Sequence, residues 1–237
     1  MTSNSIMNNF GMKLKTRSNS IAIAAQILLN FKPFCDDIRK LFKYKINIPN
    51  LFSIFYDLIL QNEANRNNVD LNPLIQENFK DPNLPLEFDV YYSDLINSLT
   101  TFSEGTSANF RNMFCVNIKS EFGNETNPFI SYDLGFIQKQ NAIYEVSNHP
   151  QLLSFKADQE SNQKILEKIY FNYRSYSIYS VVCNDTINNY KLFIKIDNKW
   201  YSYTNNKMIE TYERNFKRII FLVYAKDNNF YYDSIIN

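Results

Sequence analysis

Few residues in this chain could do chemistry, and their spacing decides what kind. The stretch "RSNSIAIAAQILLNF", residues 17–31, turns abruptly from polar to apolar, as a loop does where it feeds a buried helix. The first amides of a helix stabilise a developing anion, so a nucleophile is well served at such a junction. The junction offers Ser18, Asn19 and Ser20, and no cysteine. The three cysteines, Cys35, Cys115 and Cys183, lie far apart, and the single histidine is His149 in "EVSNHPQLLSF". That histidine could serve as a base for Cys35 or Cys115. The plainer readings are a loop or strand-edge histidine and three small core thiols, and these are preferred. Asp36 and Asp37 lack convergent partners for a metal and read as a solvated helix surface. No Cys-x-x-Cys pair, phosphate-binding glycine loop or His-Glu-x-x-His occurs, so paired-thiolate zinc, nucleotide and zinc-hydrolase chemistry are not expected.

Composition bounds the rest. The chain has 237 residues, 45% of them hydrophobic, which suits one large core or at most two small domains. Formal net charge is +1, so no bulk charge draws the protein to nucleic acid or membrane. Lys13, Lys15 and Arg17 make a local basic segment that reads as solvated surface. An odd number of scattered cysteines fits a reducing compartment. No apolar run reaches the roughly 18–20 residues needed to span a bilayer, and the N-terminus lacks a secretory pattern. The expectation is an intracellular protein, cytoplasmic or nuclear, without membrane attachment or cofactor.

The elements that must position these residues divide the chain. With Asn19 or Ser20 as cap, positions 21, 24, 25, 28 and 29 share a helical face. "PFCDDIRKLFK" opens on Pro33, and Asn50 caps "LFSIFYDLILQNEA". "LEFDVYYSDLINSL" resumes the helical period. "MFCVNIKSEF" and "PFISYDLGF" read as strands, and 157–169 as a loop with a helical turn. From Tyr176 onward strands dominate, with a tight turn at Asp197-Asn198. Helices first and antiparallel strands later predict an α+β fold. The organisation expected is a flexible segment over 1–10, one domain over 11–226 and a tail over 227–237.

The C-terminal strands carry a recognisable pattern. "YSIYSVVCND", "NNYKLFIKIDNKWYSYTNN" and "IIFLVYAK" resemble the terminal block of ubiquitin-specific proteases, which reads Y-x-L-x-A-V-V-x-H, G-H-Y-x-A-Y, W-Y-x-F-D-D and A-Y-x-L-F-Y. Tyr176, Ile178, Val181 and Val182 match the first element, with Asn184 at its His. Asn189-Tyr190 and Phe193 match the second, Trp200-Tyr201 and Tyr203 the third, and Leu222 and Tyr224 the last. The opening stretch resembles the family's nucleophile box, G-L-x-N-L-G-N-T-C-Y-M-N-S-x-L-Q-x-L, with Gly11, Gln26 and Leu28 in register. That register puts Asn19 at the catalytic cysteine, and a shifted one puts Ile21 there. Leu95, Ile96 and Leu99 match the apolar positions of the Q-D-A-x-E-F-L helix, and "MFCVNIKS" is similar to the strand that opens the fingers. The family's zinc ribbon has no counterpart between "EFGNETNPF" and "ISYDLGF".

The resemblance implies a papain-like fold of the ubiquitin-specific protease type, with shortened, zinc-free fingers. It implies hydrolysis of ubiquitin conjugates by a thiolate, a histidine and an orienting Asp or Asn. The matching positions are Asn19, Asn189 and Thr204, with Asn205 beside the last. A carboxamide neither forms an acyl intermediate nor relays a proton, so the site is expected to be inactive. The function expected is a non-catalytic protein-binding or scaffold module, with tight ubiquitin binding not expected. The alternatives are a subunit of a large ribonucleoprotein (a ribosome, spliceosome or mRNA-processing complex), and a residual cysteine deubiquitinase. Contact with RNA ranks below contact with protein, because aromatics at strand positions are more often core.

Overall fold

The computed structural model describes residues 12–13, 20–43, 48–63, 69–70, 73–74, 87–104, 109–120, 123–132, 145–161, 165–186, 189–204, 207–212 and 216–227. The helices are α1 (Ser20–Leu29), α2 (Lys32–Lys43), α3 (Asn50–Glu63), α4 (Phe88–Phe102) and the short α5 (Phe110–Phe114). The strands are β1 (Met12–Lys13), β2 (Val69–Asp70), β3 (Val116–Ser120), β4 (Gly123–Asn127), β5 (Ile130–Tyr132), β6 (Glu145–Val146), β7 (Leu152–Ser161), β8 (Lys168–Phe171), β9 (Arg174–Thr186), β10 (Asn189–Ile196), β11 (Lys199–Thr204), β12 (Lys207–Glu210) and β13 (Ile219–Lys226). The main sheet runs β12-β11-β10-β9-β13-β7-β5, with β8 paired to β9, and a small sheet runs β4-β3-β6. Helices precede a largely antiparallel sheet, as expected, but the two-residue β1 and β2 pair in parallel within the helical part and β5 joins β7 in parallel.

Alternation along the strands sorts side chains onto the two faces of the main sheet. Leu192, Ile194, Tyr203, Phe221 and Val223 join the helices in one core. Phe193, Trp200, Leu222 and Tyr224 join Val116 and Ile118 of β3 in a second. Two bulges correct the phase. One lies between Ile219 and Phe221, so two residues of equal parity enter opposite cores. The other skips Tyr179, because Val223 pairs with Ser180 and Tyr224 with Ile178.

Tyr179 is thereby turned toward the helices. Its hydroxyl donates to the Ile27 carbonyl at 2.9 Å, and its ring meets Phe31 edge-on at 5.8 Å. All ten residues of α1 are buried, so the helix is covered on every side rather than along the single face expected from its spacing. A buried helix end cannot leave its last carbonyls to water. Here Asn30 N–H donates to Gln26, Phe31 N–H to Leu28 and the Cys35 thiol to Leu29, while Tyr179 takes Ile27.

Around α1 the core is aromatic. Phe34 of α2 is fully buried and packs against Phe55, Phe110 and Phe114. From α4, Phe88 and Tyr92 pack on Phe221 of β13, and Tyr92 shares a 3.0 Å hydrogen bond with Ser154 of β7.

Three elements differ from expectation. Met113 and Phe114 belong to α5, where the Asn109 side chain accepts from Asn112 N–H and caps a turn that the apolar run concealed. Residues 157–161 are strand, not loop, because β7 pairs as far as Ser161 with Ile219 and its Ala157 with Tyr132. A short strand, β12, follows β11 where none was expected.

Two substitutions test this packing by urea denaturation. Phe34→Ala should cost about 3–5 kcal/mol through the cavity it leaves. Tyr179→Phe should cost about 1–3 kcal/mol, since the Ile27 carbonyl loses its partner in an apolar interior. A neutral Tyr179→Phe would contradict the role assigned to that bond.

Candidate functional site

The site suggested by the sequence is built from the start of α1 and one end of the β10–β11 pair. Asn19 immediately precedes α1 and lies outside the described residues. Ser20, the first residue of the helix, is fully buried, as is Gln26 two turns on. The Gln26 side-chain oxygen accepts from Asn30 at 2.8 Å, and its Nε2 has no hydrogen-bond partner among the described residues. Ile21, the alternative nucleophile position, is a buried core residue. It offers no group for acid, base or nucleophilic work.

Asn189 opens β10, where its backbone pairs with Thr186 and the register then shifts so that Tyr190 pairs with Asn184. The strand continues to Leu192, which pairs with Tyr203, and Thr204 closes β11 one residue later. The backbones of Asn189 and Thr204 therefore sit at the same end of one antiparallel pair. Helix α1 packs on β10, so the sheet end and the helix preceded by Asn19 belong to one packed body. Asn205 lies outside the described residues. Beside Asn189, Tyr190 is buried against Phe88, and this burial raises its phenol above the ordinary range.

The remaining candidates are dispersed through the fold. Cys35 lies in the helical core, with its thiol directed at the Leu29 carbonyl 3.3 Å away. Cys183 lies in the core on the other side of the sheet. Cys115 follows α5, and burial pushes its thiol up to about 11, outweighing the opposing pull of Arg111. A reactive thiol needs the opposite environment.

His149 stands in the segment before β7. Its neighbour Asn148 is what touches Cys115, donating to the Cys115 carbonyl at 2.8 Å and accepting from Asn117 N–H at 2.7 Å. Burial lowers the His149 imidazole below its ordinary value, and the cations Arg174 and Lys226 lower it further. A histidine base in a triad is flanked by a carboxylate or carboxamide that orients it. Here the charged neighbours are cations. Among the described residues no group of three His, Cys, Asp or Glu could hold a metal ion, and no helix is long and apolar enough to cross a membrane.

Neither a family model nor a curated protein matches the sequence. Solved structures do match. An essential yeast splicing factor superposes with a TM-score of 0.66 at 11% identity, over 93% of this chain and 69% of its own. A structure of the yeast SAGA DUBm with an Sgf73 mutant superposes with a TM-score of 0.67 at 10% identity, over 96% of this chain and 69% of its own. The chain shares its fold with both structures. At such low identity the likeness concerns the backbone path, and it agrees with the resemblance carried by the C-terminal strands and the α1 stretch.

One feature was not legible in the sequence. Arg174, Lys226 and His149, distant in the chain, meet where the β8–β9 hairpin and the end of β13 converge on residues 146–151. Only the strand pairing brings them together.

The thiol environment generates a test. At pH 8 a thiol with a pKa near 11 is about 0.1% thiolate. Iodoacetamide should leave the native protein unmodified over an hour at this pH, while guanidinium unfolding exposes all three thiols, as read by intact mass. Rapid single alkylation of the native protein at pH 7 would reveal an activated cysteine.

Proposed function

We propose that this protein is a non-catalytic member of the ubiquitin-specific protease type, with shortened fingers that lack zinc, and that it serves as a protein-binding or scaffold module in a larger assembly. The observation that carries this reading is the pairing of a retained frame with substituted chemistry. Tyr176, Val181, Val182, Phe193 and Tyr203 occupy the strand core. The positions that align with cysteine and histidine in the resembled family hold Asn19 and Asn189, and Thr204 stands at the orienting residue.

A carboxamide cannot supply a thiolate or shuttle a proton, so acyl transfer fails at both of its steps. Packing residues persist when a fold is still needed, and fold alone does not carry the activity. The small sheet β4-β3-β6 stands in the chain order where the family's fingers would be. The polar strand "GNETN" of β4 supplies no thiolate pair there. Without those fingers a tight grip on ubiquitin is not expected.

A second reading makes the protein a subunit of a ribonucleoprotein. The likeness to an essential splicing factor favours it, and such a role is compatible with scaffolding. A residual cysteine deubiquitinase is disfavoured by the inward burial of Cys35, Cys115 and Cys183.

A fluorogenic ubiquitin conjugate tests the central reading. The purified protein should release no fluorophore above the buffer rate, and calorimetric titration with ubiquitin should show no micromolar or tighter binding. Turnover abolished by replacing a single cysteine would overturn the non-catalytic assignment.

A further inference from the structure

Residues 146–151 cross from the small sheet to the main one. Toward the small sheet, Ser147 N–H donates to the Asn117 carbonyl at 3.0 Å. The Asn148 side chain accepts from Asn117 N–H at 2.7 Å and donates to the Cys115 carbonyl at 2.8 Å. Toward the main sheet, the Pro150 carbonyl accepts from the Tyr176 hydroxyl at 3.0 Å, and the Gln151 carbonyl from Lys226 N–H at 2.9 Å. The β8–β9 hairpin turns through Asn172 and Tyr173, both at positive φ, and Asn172 Nδ2 donates to the Val146 carbonyl at 2.9 Å. Past Val146 the segment joins no ladder until β7 begins at Leu152. These separate bonds hold it.

His149 sits in the middle of the crossing. Its ring is half-buried, and Nδ1 is buried with no hydrogen-bond partner among the described residues. A neutral imidazole tolerates this, because its hydrogen can sit on Nε2 and leave a lone pair at Nδ1. Protonation places an N–H at Nδ1 where no acceptor waits, and a charge where water is excluded. Burial therefore disfavours the imidazolium, and Arg174 of β9 and Lys226 of β13 add like charge against it. The other titratable groups on the elements packed here keep their state. Burial pushes the Cys115 thiol up to about 11 and raises the Tyr176 phenol above its ordinary range. Burial works against the Asp227 carboxylate, yet bonds from Ser177, Ser175 and Lys168 outweigh it and hold that carboxyl below the ordinary range. Of these groups His149 alone changes charge between about pH 5 and 7.

We propose that His149 is an acid-sensitive pin, and that its protonation lifts residues 147–151 from β9 and β13 and opens the seam between the two sheets. Outside the fold the ring is an ordinary imidazole. Protons therefore favour the open form as pH falls below about 6.5, and the advantage of the closed form, complete above that value, shrinks with each further drop. Val116 and Ile118 keep the small sheet packed on the second core, so the opening is local. The device lies outside the degenerate triad and does not depend on the non-catalytic reading.

Nuclear magnetic resonance on the full chain tests it. His149 is the single histidine, so one imidazole Hε1 signal reports its titration, which should fall below about 6.5. The amides of Asn117, Ser147 and Lys226 are the donors in the crossing bonds. Their hydrogen exchange, corrected for the intrinsic rate, should be about 10-fold or more faster at about pH 5 than at about pH 7.5, while the amides of β10 stay unchanged. His149→Gln, neutral at both values, should remove the acceleration. If that variant does not fold, the titration and exchange of the natural protein decide. A signal that titrates at or above about 6.5, amides of the crossing that do not accelerate in acid, or acceleration that persists in His149→Gln would each overturn the proposal.

Discussion

The bond from the Tyr179 hydroxyl to the Ile27 carbonyl fastens the sheet to its central helix. Because α1 is buried along its whole length, its terminal carbonyls have no solvent to accept from. Each must find a donor inside the protein, and an unpaired carbonyl in that interior would cost about 1–3 kcal/mol. One donor comes from the sheet, one from α2 and the others from the chain leaving α1, so the end of the helix joins both halves of the fold. The bulge that turns Tyr179 toward α1 is thus as much part of the helix as of the strand.

That arrangement separates the packing of α1 from the positions at which the proposed reading places the lost chemistry. The groups that hold α1 in place are hydroxyls, amides and aromatic rings at its far end and flanks. The residues that would do chemistry lie just before its first turn and at the end of β10–β11, where Asn189 and Thr204 terminate their ladders. Substitution at strand ends and in front of a helix disturbs little packing, so chemistry there can change while stability is kept. Burial of the three cysteines follows the same division, since each serves as core on one side of the sheet or the other.

Much of this was legible in the residues. The helices α1 to α4 follow from apolar spacing, and β9, β10 and β11 from dense β-branched and aromatic runs. The Asp197-Asn198 turn announced itself because aspartate and asparagine tolerate left-handed backbone. The turn at Asn172-Tyr173 did not, because tyrosine is a strand former and its place at a tip is decided by pairing on either side. Residues 158–161 are polar, and the segment from Ala157 becomes strand only because β5 and β13 offer ladders to join. Helix α5 was hidden by an apolar run that suits helix and strand alike. At the site, the order of Asn189 and Thr204 could be read from the matching strand pattern. The convergence of Arg174, Lys226 and His149 could not, since it depends on the registers of several strands.

The central claim is that the frame of a cysteine hydrolase persists around positions that no longer carry its groups. A thiol titration followed by thiolate absorbance tests this without any substrate. The thiol introduced by Asn19→Cys should ionise at a pH about 1 or more lower when Asn189→His is added, because an imidazolium beside it stabilises the thiolate. An identical titration in the single and double variants would contradict the account, by showing that the start of α1 and the start of β10 do not converge.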